Sequence, residues 1–169
     1  MAKSAISPPS QQARWAAYLA AVWALAFAAI SFYWAAGGTL GLSTLGVRIE
    51  QLARARDPLA VWIGGWVVGV LKIIGGLVAL ALVQPWGRWI PRRLLCWFVW
   101  GAGIGMILYG AASFVQHGLM ITGAINLPAG LGQTGARGHL FLWDPWWTLG
   151  GVLFVLAAWW TSRQPAQRS

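Results

Sequence analysis

LAVWIGGWVVGVLKIIGGLVALALV, residues 59–83, holds one ionisable side chain, Lys72, at its middle. At 1.5 Å per residue a helix of this length crosses the ~30 Å hydrocarbon layer of a bilayer. Inside lipid the backbone has no water to bond, so such a run must be helical. Three further runs have the same character, at 15–36, 94–114 and 140–160. The first is too long for a signal-peptide core and lacks a small-residue cleavage site, so it counts as a span. The sequence thus predicts an all-α protein, a four-helix transmembrane bundle over 14–161. Short tails flank it at 1–13, polar with a Pro-Pro break and read as disordered, and at 162–169.

Composition agrees. Hydrophobic residues make up 59% of the chain and charged residues 9%, against about 25% charged in soluble domains. A surface with so little charge is solvated by lipid. The formal charge of +9 sits mostly between the apolar runs, as topology signals do, rather than on one soluble face, which excludes a nucleic-acid binder. Lys3, Arg14, Arg88, Arg92, Arg93, Arg163 and Arg168 fall on one side, and Arg48, Arg54, Arg56 and Arg137 on the other. The positive-inside rule then places both termini in the cytoplasm, in an inner (plasma) membrane. One cysteine, Cys96, excludes an internal disulfide, and with two histidines offers no metal-ligand spacing. Neither a metal nor a cofactor is expected.

The outer connections are the longer ones, so a functional face is expected there. Within 37–58, Leu45, Ile49 and Leu52 share one helical face, which reads as a short helix in the membrane interface. Residues 117–139 are glycine-rich and charged only at Arg137, either a lid over the bundle or slack. Tryptophans mark both interfaces: Trp15, Trp86, Trp89, Trp159 and Trp160 the inner, and Trp34, Trp62, Trp143, Trp146 and Trp147 the outer. A belt explains them better than an aromatic cage.

Polar side chains within the spans carry what functional signal there is. A lysine at mid-span costs at least ~2.5–3.5 kcal/mol if left alone. Lys72 shares its helical face with Gly65, Gly69, Gly76 and Ala79, small residues that admit a neighbouring helix, so it faces inward. Counted from the inner boundary, its ammonium lies ~22 Å up, Asp144 ~24 Å, Tyr109 ~22 Å and Ser31 ~24 Å. Ser31 lies on the stripe Ala17, Ala21, Ala24, Ala28, Ala35. Tyr109 lies with Ala102, Gly105, Ala112, Ser113 and Gln116, and Asp144 with Thr148, Gly151 and Ala158. The expectation is one polar layer of Ser31, Lys72, Tyr109 and Asp144, a candidate ligand site in which Lys72 and Asp144 are neighbours, directly or through a water or ligand. Asp144-Pro145 is also a good helix start, aspartate capping and proline following. Capping, a register-fixing pair and a ligand site are thus three open roles for Asp144. His117 reads as an interfacial side chain.

Span 1 ends in Ser31-Phe32-Tyr33-Trp34-Ala35-Ala36-Gly37-Gly38, and span 4 opens with Leu142-Trp143-Asp144-Pro145-Trp146-Trp147. With these two signatures the chain resembles an uncharacterised family of small bacterial four-span membrane proteins, a domain of unknown function, over about 15–160. The resemblance implies fold and location and brings no activity. In that family the place of Ser31 is often a histidine, and the serine here removes that support for a proton relay.

Two functions remain in competition. One is a non-enzymatic accessory or structural membrane protein whose polar layer fixes packing. The other is a binding site or enzyme for a lipophilic small molecule, with Lys72, Asp144 and Tyr109 as polar handles. No motif names a reaction. Quinone redox enzymes want cysteine pairs or haem-ligating histidines across spans, and hydrolases want a histidine beside Ser31 or Ser113; neither pattern is present. Four spans without an inverted repeat also count against a transporter. Membrane lipids are the expected partners, with a lipophilic ligand, a second copy or another membrane protein as further candidates. The topology is tested by cysteine labelling from outside in a Cys96→Ala background. Cysteines placed at residues 52 and 130 should react and one at 89 should not; the reverse pattern inverts the protein.

Overall fold

The structure, a computed structural model, describes residues 9–163; of the tails expected at 1–13 and 162–169, residues 1–8 and 164–169 lie outside the described residues. Helix α1 spans Gln11–Ala35, a short α2 Val47–Arg54, α3 Ala60–Ala81, α4 Arg92–Ile121 and α5 Gly132–Ser162. All but α2 are long and apolar enough to cross a membrane. No strand occurs among the described residues.

Three boundaries differ from expectation, each for a local reason. Helix α1 starts inside the expected tail because Ser10 caps it, its hydroxyl accepting from the Ala13 N–H at 3.2 Å. Gln116 and His117 mark an end near 114 by hydropathy, yet α4 runs on to Ile121. Its last turns are held by a side-chain contact to α5 rather than by lipid. The largest correction concerns α5. It begins at Gly132, so Asp144 lies mid-helix at φ −68° and ψ −44° and caps nothing. Pro145 has no N–H to offer the preceding turn. The chain accommodates it with a π-helical stretch over His139–Trp143, where the Asp144 N–H bonds to the His139 carbonyl five residues back.

The spans stand in a row, α3–α1–α5–α4, rather than in a closed ring. Helix α1 packs on α3 and on α5, α4 packs on α5, and α3 and α4 barely meet. Small residues decide the order. On α1 the stripe Ala17, Ala21, Ala24, Ala28, Ser31 and Ala35 is buried, and on α3 so are Gly65, Gly69, Gly76 and Ala79. On α4 the buried face is Leu95, Val99, Gly103, Gly110, Ser113 and Met120, which shares only Ser113 with the stripe expected beside Tyr109. That helix carries small residues on two faces, and only one meets α5.

The seam between α1 and α5 is aromatic. The Trp23 and Trp146 ring centroids are 5.9 Å apart, those of Phe27 and Trp143 6.0 Å, and those of Phe27 and Trp147 5.2 Å. Trp143 is buried, and Trp146 and Trp147 pack on the same cluster, so these three form core and not an outer belt. Trp15, Trp62, Trp86 and Trp89 are exposed, as belt residues are.

At one end of the row, Gln84 donates to the Tyr18 hydroxyl at 3.0 Å and Arg92 to the Thr161 carbonyl at 2.6 Å. The start of α1, the end of α3, the start of α4 and the end of α5 therefore lie together. At the other end the two long connections cover the spans. The backbone N–H groups of Val47 and Arg48 open α2 and donate to the carbonyls of Leu131 and Gly130 at 3.3 and 2.8 Å, satisfying donors that a helix start leaves free. Arg56 donates to the Ala35 carbonyl at the end of α1 at 2.9 Å. Trp143 Nε1 donates to Thr44 Oγ1 at 3.0 Å. The 117–139 segment is thus mostly helix continuing α4 and α5, and its remainder is tied to α2.

The α4–α5 contact depends on absent side chains. A Cβ on Gly103 would lie 2.9 Å from the Val155 backbone nitrogen, whereas one on Gly105 would meet nothing within 4 Å. Gly103→Ala should therefore cost about 1–3 kcal/mol through overpacking. Gly105→Ala on the same helix should be neutral or stabilise by up to ~1 kcal/mol through helix propensity. Thermal unfolding in detergent measures both.

Candidate functional site

The half of the row beneath α2 holds a cavity of about 270 Å³, close to the lower end of the ~300–1,000 Å³ usual for small-molecule sites. Its wall is mainly apolar and includes Phe27, Trp34 and Trp143, with Ser31, Lys72 and His139 among the polar contributors. Leu45 and Ile49, from the expected interfacial helix and the 3₁₀ turn before it, roof it.

Lys72 reaches this cavity from α3. Its ammonium donates to Ser31 Oγ at 2.7 Å and sits 3.3 Å from the centroid of the Phe27 ring. Two of the expected site residues, Ser31 and Lys72, are therefore joined across α1 and α3. Among the described residues no carboxylate forms an ion pair with Lys72. Ser31 Oγ in turn donates to the Phe27 carbonyl at 3.4 Å. Ser31 Oγ thus has the Lys72 Nζ and the Phe27 carbonyl as its two partners. Lysine activates serine in some hydrolases, a pairing that a search for histidine passes over.

Asp144 is not the partner of Lys72. Helix α1 stands between their helices, and the cation rests on Phe27, which packs against Trp143 and Trp147 on either side of Asp144. Tyr109 also stands apart. It is 54% exposed on α4, its ring edge-on to Trp147 with centroids 5.5 Å apart. The expected single layer resolves into two polar pairs separated by an aromatic seam, with Tyr109 outside both.

The second pair is one the sequence did not display. Asp144 is 1% exposed, and its Oδ2 lies 2.8 Å from His117 Nδ1 on α4. Its Oδ1 has no hydrogen-bond partner and faces His139 Nδ1 at 3.8 Å. The two imidazoles stack with centroids 4.7 Å apart. His117 is therefore an interhelical contact and not an interfacial side chain. Residues 139 and 144 would sit about 140° apart around an α-helix at 100° per residue. The π-helical stretch, bonded from i to i+5, brings them onto one face. A histidine pair across spans does exist, in a form that spacing along the chain conceals, and the three side chains place their ligand atoms within 4.8 Å of one another. Sequence spacing showed no such grouping; the fold brings these three side chains together.

The chain matches the family described as "Protein of unknown function (DUF3995)" over residues 24–154. It belongs to that family. No curated protein and no solved structure matches. The family match covers Ser31, Lys72, His117, His139 and Asp144.

The two pairs should behave independently in stability. His117→Ala strands a buried carboxylate and should cost about 3–5 kcal/mol. Combined with Asp144→Asn, the loss should fall well short of the sum of the two single changes. Lys72→Met and Asp144→Asn should instead add within ~0.5 kcal/mol. Double-mutant cycles on unfolding in detergent decide it, and strong coupling between Lys72 and Asp144 would contradict the two-pair arrangement.

Proposed function

We propose that this DUF3995 protein is a membrane-embedded binding protein for a small lipophilic molecule that carries an anionic or strongly accepting polar end. The observation that carries the reading is the Lys72 ammonium at the wall of an apolar cavity with no carboxylate among the described residues to pair with it. A lysine in lipid is normally paired or placed on a substrate path. One hydroxyl and one aromatic face satisfy it in part, and a bound anion would complete its shell. Ser31 orients the ammonium, Phe27, Trp34 and Trp143 receive the apolar body, and the Leu42–Leu45 turn and α2 form the roof.

The charge distribution between the loops supports a plasma-membrane location with both termini cytoplasmic and the cavity in the outer half. The competing structural role has a specific difficulty: a lysine kept for packing alone has no reason to stand beside open space.

Purification from native membranes, organic extraction and mass spectrometry test the proposal. A molecule other than bulk phospholipid should co-purify with the wild type, and its occupancy should fall at least tenfold in Lys72→Met, equivalent to about 1.4 kcal/mol of binding. Thermal stability of the emptied variant should be unchanged or higher, because an unneutralised cation has been removed. A wild type carrying no such molecule, with Lys72→Met less stable, would favour the structural role.

A further inference from the structure

We propose that His117, His139 and Asp144 bind a divalent transition-metal ion of the zinc type. Two imidazole nitrogens and one carboxylate oxygen lie within 4.8 Å of one another, contributed by two adjacent spans. Zn²⁺ holds nitrogen and oxygen ligands at ~2.0–2.2 Å, so tetrahedral ligand atoms stand about 3.3 Å apart. The distances of 2.8 Å from His117 and 3.8 Å from His139 to Asp144 bracket that separation. Small side-chain rotations would place all three on one ion.

A second, independent observation points to a missing partner. Asp144 is 1% exposed, and its Oδ1 is a buried acceptor without a hydrogen bond. A buried carboxylate oxygen left unpaired is costly. Here it is turned toward His139 at 3.8 Å, beyond hydrogen-bond range. An ion between them would satisfy it and both imidazoles.

The backbone has departed from the α-helix in a way that serves this cluster. The five-residue hydrogen bond from Asp144 N–H to the His139 carbonyl is what aligns the two side chains. Two nitrogens and one oxygen suit Zn²⁺ and its transition-metal neighbours, whereas Ca²⁺ and Mg²⁺ require oxygen-rich shells. Three protein ligands leave a fourth position for water or an added group, as in zinc sites that keep one position open. His139 also lines the cavity, so that position is reachable from it. The inference does not depend on a lipophilic ligand, because Lys72 contacts none of the three residues.

The probes are Zn²⁺ and Co²⁺, added to full-length protein in mild detergent, carrying no oligohistidine tag and stripped with a chelator. The wild type should take up one Zn²⁺ per chain by elemental analysis and gain thermal stability on binding. With Co²⁺ it should show the intense visible ligand-field bands of a four-coordinate ion with nitrogen and oxygen donors. His139→Gln leaves the His117–Asp144 contact in place, so it should fold, yet bind Zn²⁺ at least 100-fold more weakly in chelator competition. Lys72→Met should bind like the wild type, which separates failure of this site from failure of the cavity reading. The proposal is overturned if the stripped wild type binds neither ion, or if wild type and His139→Gln take up equal amounts. The Co²⁺ spectrum of the wild type alone already decides the matter should the variant fail to fold.

Discussion

A carboxylate enclosed by apolar helices is the group around which the α2-covered half of this protein is organised. Asp144 is 1% exposed, and a charge so placed must be met by protein, since neither lipid nor bulk water can solvate it. His117 supplies that contact from α4, which explains why α4 continues to Ile121 beyond its most hydrophobic stretch. His139 supplies a second neighbour from within α5, at the expense of regular α-helical bonding. Pro145, immediately after Asp144, makes that irregularity cheap, because the turn before a proline has already lost one N–H donor. Carboxylate, proline and π-helical turn are one local solution.

The row order of the helices follows from how the other groups are satisfied. Helix α1 offers an alanine stripe to α3 and a Trp23/Phe27 surface to α5, so it is sheltered on both sides. Helices α3 and α4 each have one principal span neighbour, α1 and α5 respectively. A lysine on α3 is then met by α1, and a carboxylate on α5 facing α4 by α4 and by α5 itself. The separation of Lys72 from Asp144 is a consequence of that order. An aromatic seam lies between the two pairs, and its rings receive the ammonium on one face.

Much of the fold was legible because lipid imposes few choices. Four apolar runs had to be four helices, and the small-residue faces of α1, α3 and α5 were readable from spacing alone. Depth and inward aim put Lys72 and Ser31 in one layer, and the two are in contact, although the partner expected for Lys72 was Asp144. The face of α4 was not legible, since glycine and alanine occupy two of its sides and composition cannot say which one meets a neighbour. Asp144-Pro145 misled for a definite reason: the dipeptide has the form of a helix start, and only the unbroken helical backbone on its N-terminal side excludes that role. The histidines escaped notice because five residues separate His139 from Asp144. That spacing is out of phase in an α-helix and in phase only in the wider turn.

The cavity lies where these constraints leave space unfilled. Its roof is held by Trp143 bonded to Thr44, by Arg56 bonded to the end of α1, and by the packing of Leu42 and Leu45 from the turn before α2. Helix α2 buries none of its residues fully, and a segment with so few buried contacts opens at lower free energy than the spans beneath it. The same arrangement sets Lys72 on one part of the wall and His139 on another, so a cation and a neighbour of the buried carboxylate face one apolar volume. A closed hydrophobic core would have excluded both groups. Their joint presence brings one member of each polar pair to the same apolar volume, at the end of the row opposite the helix ends joined by Gln84–Tyr18 and Arg92–Thr161.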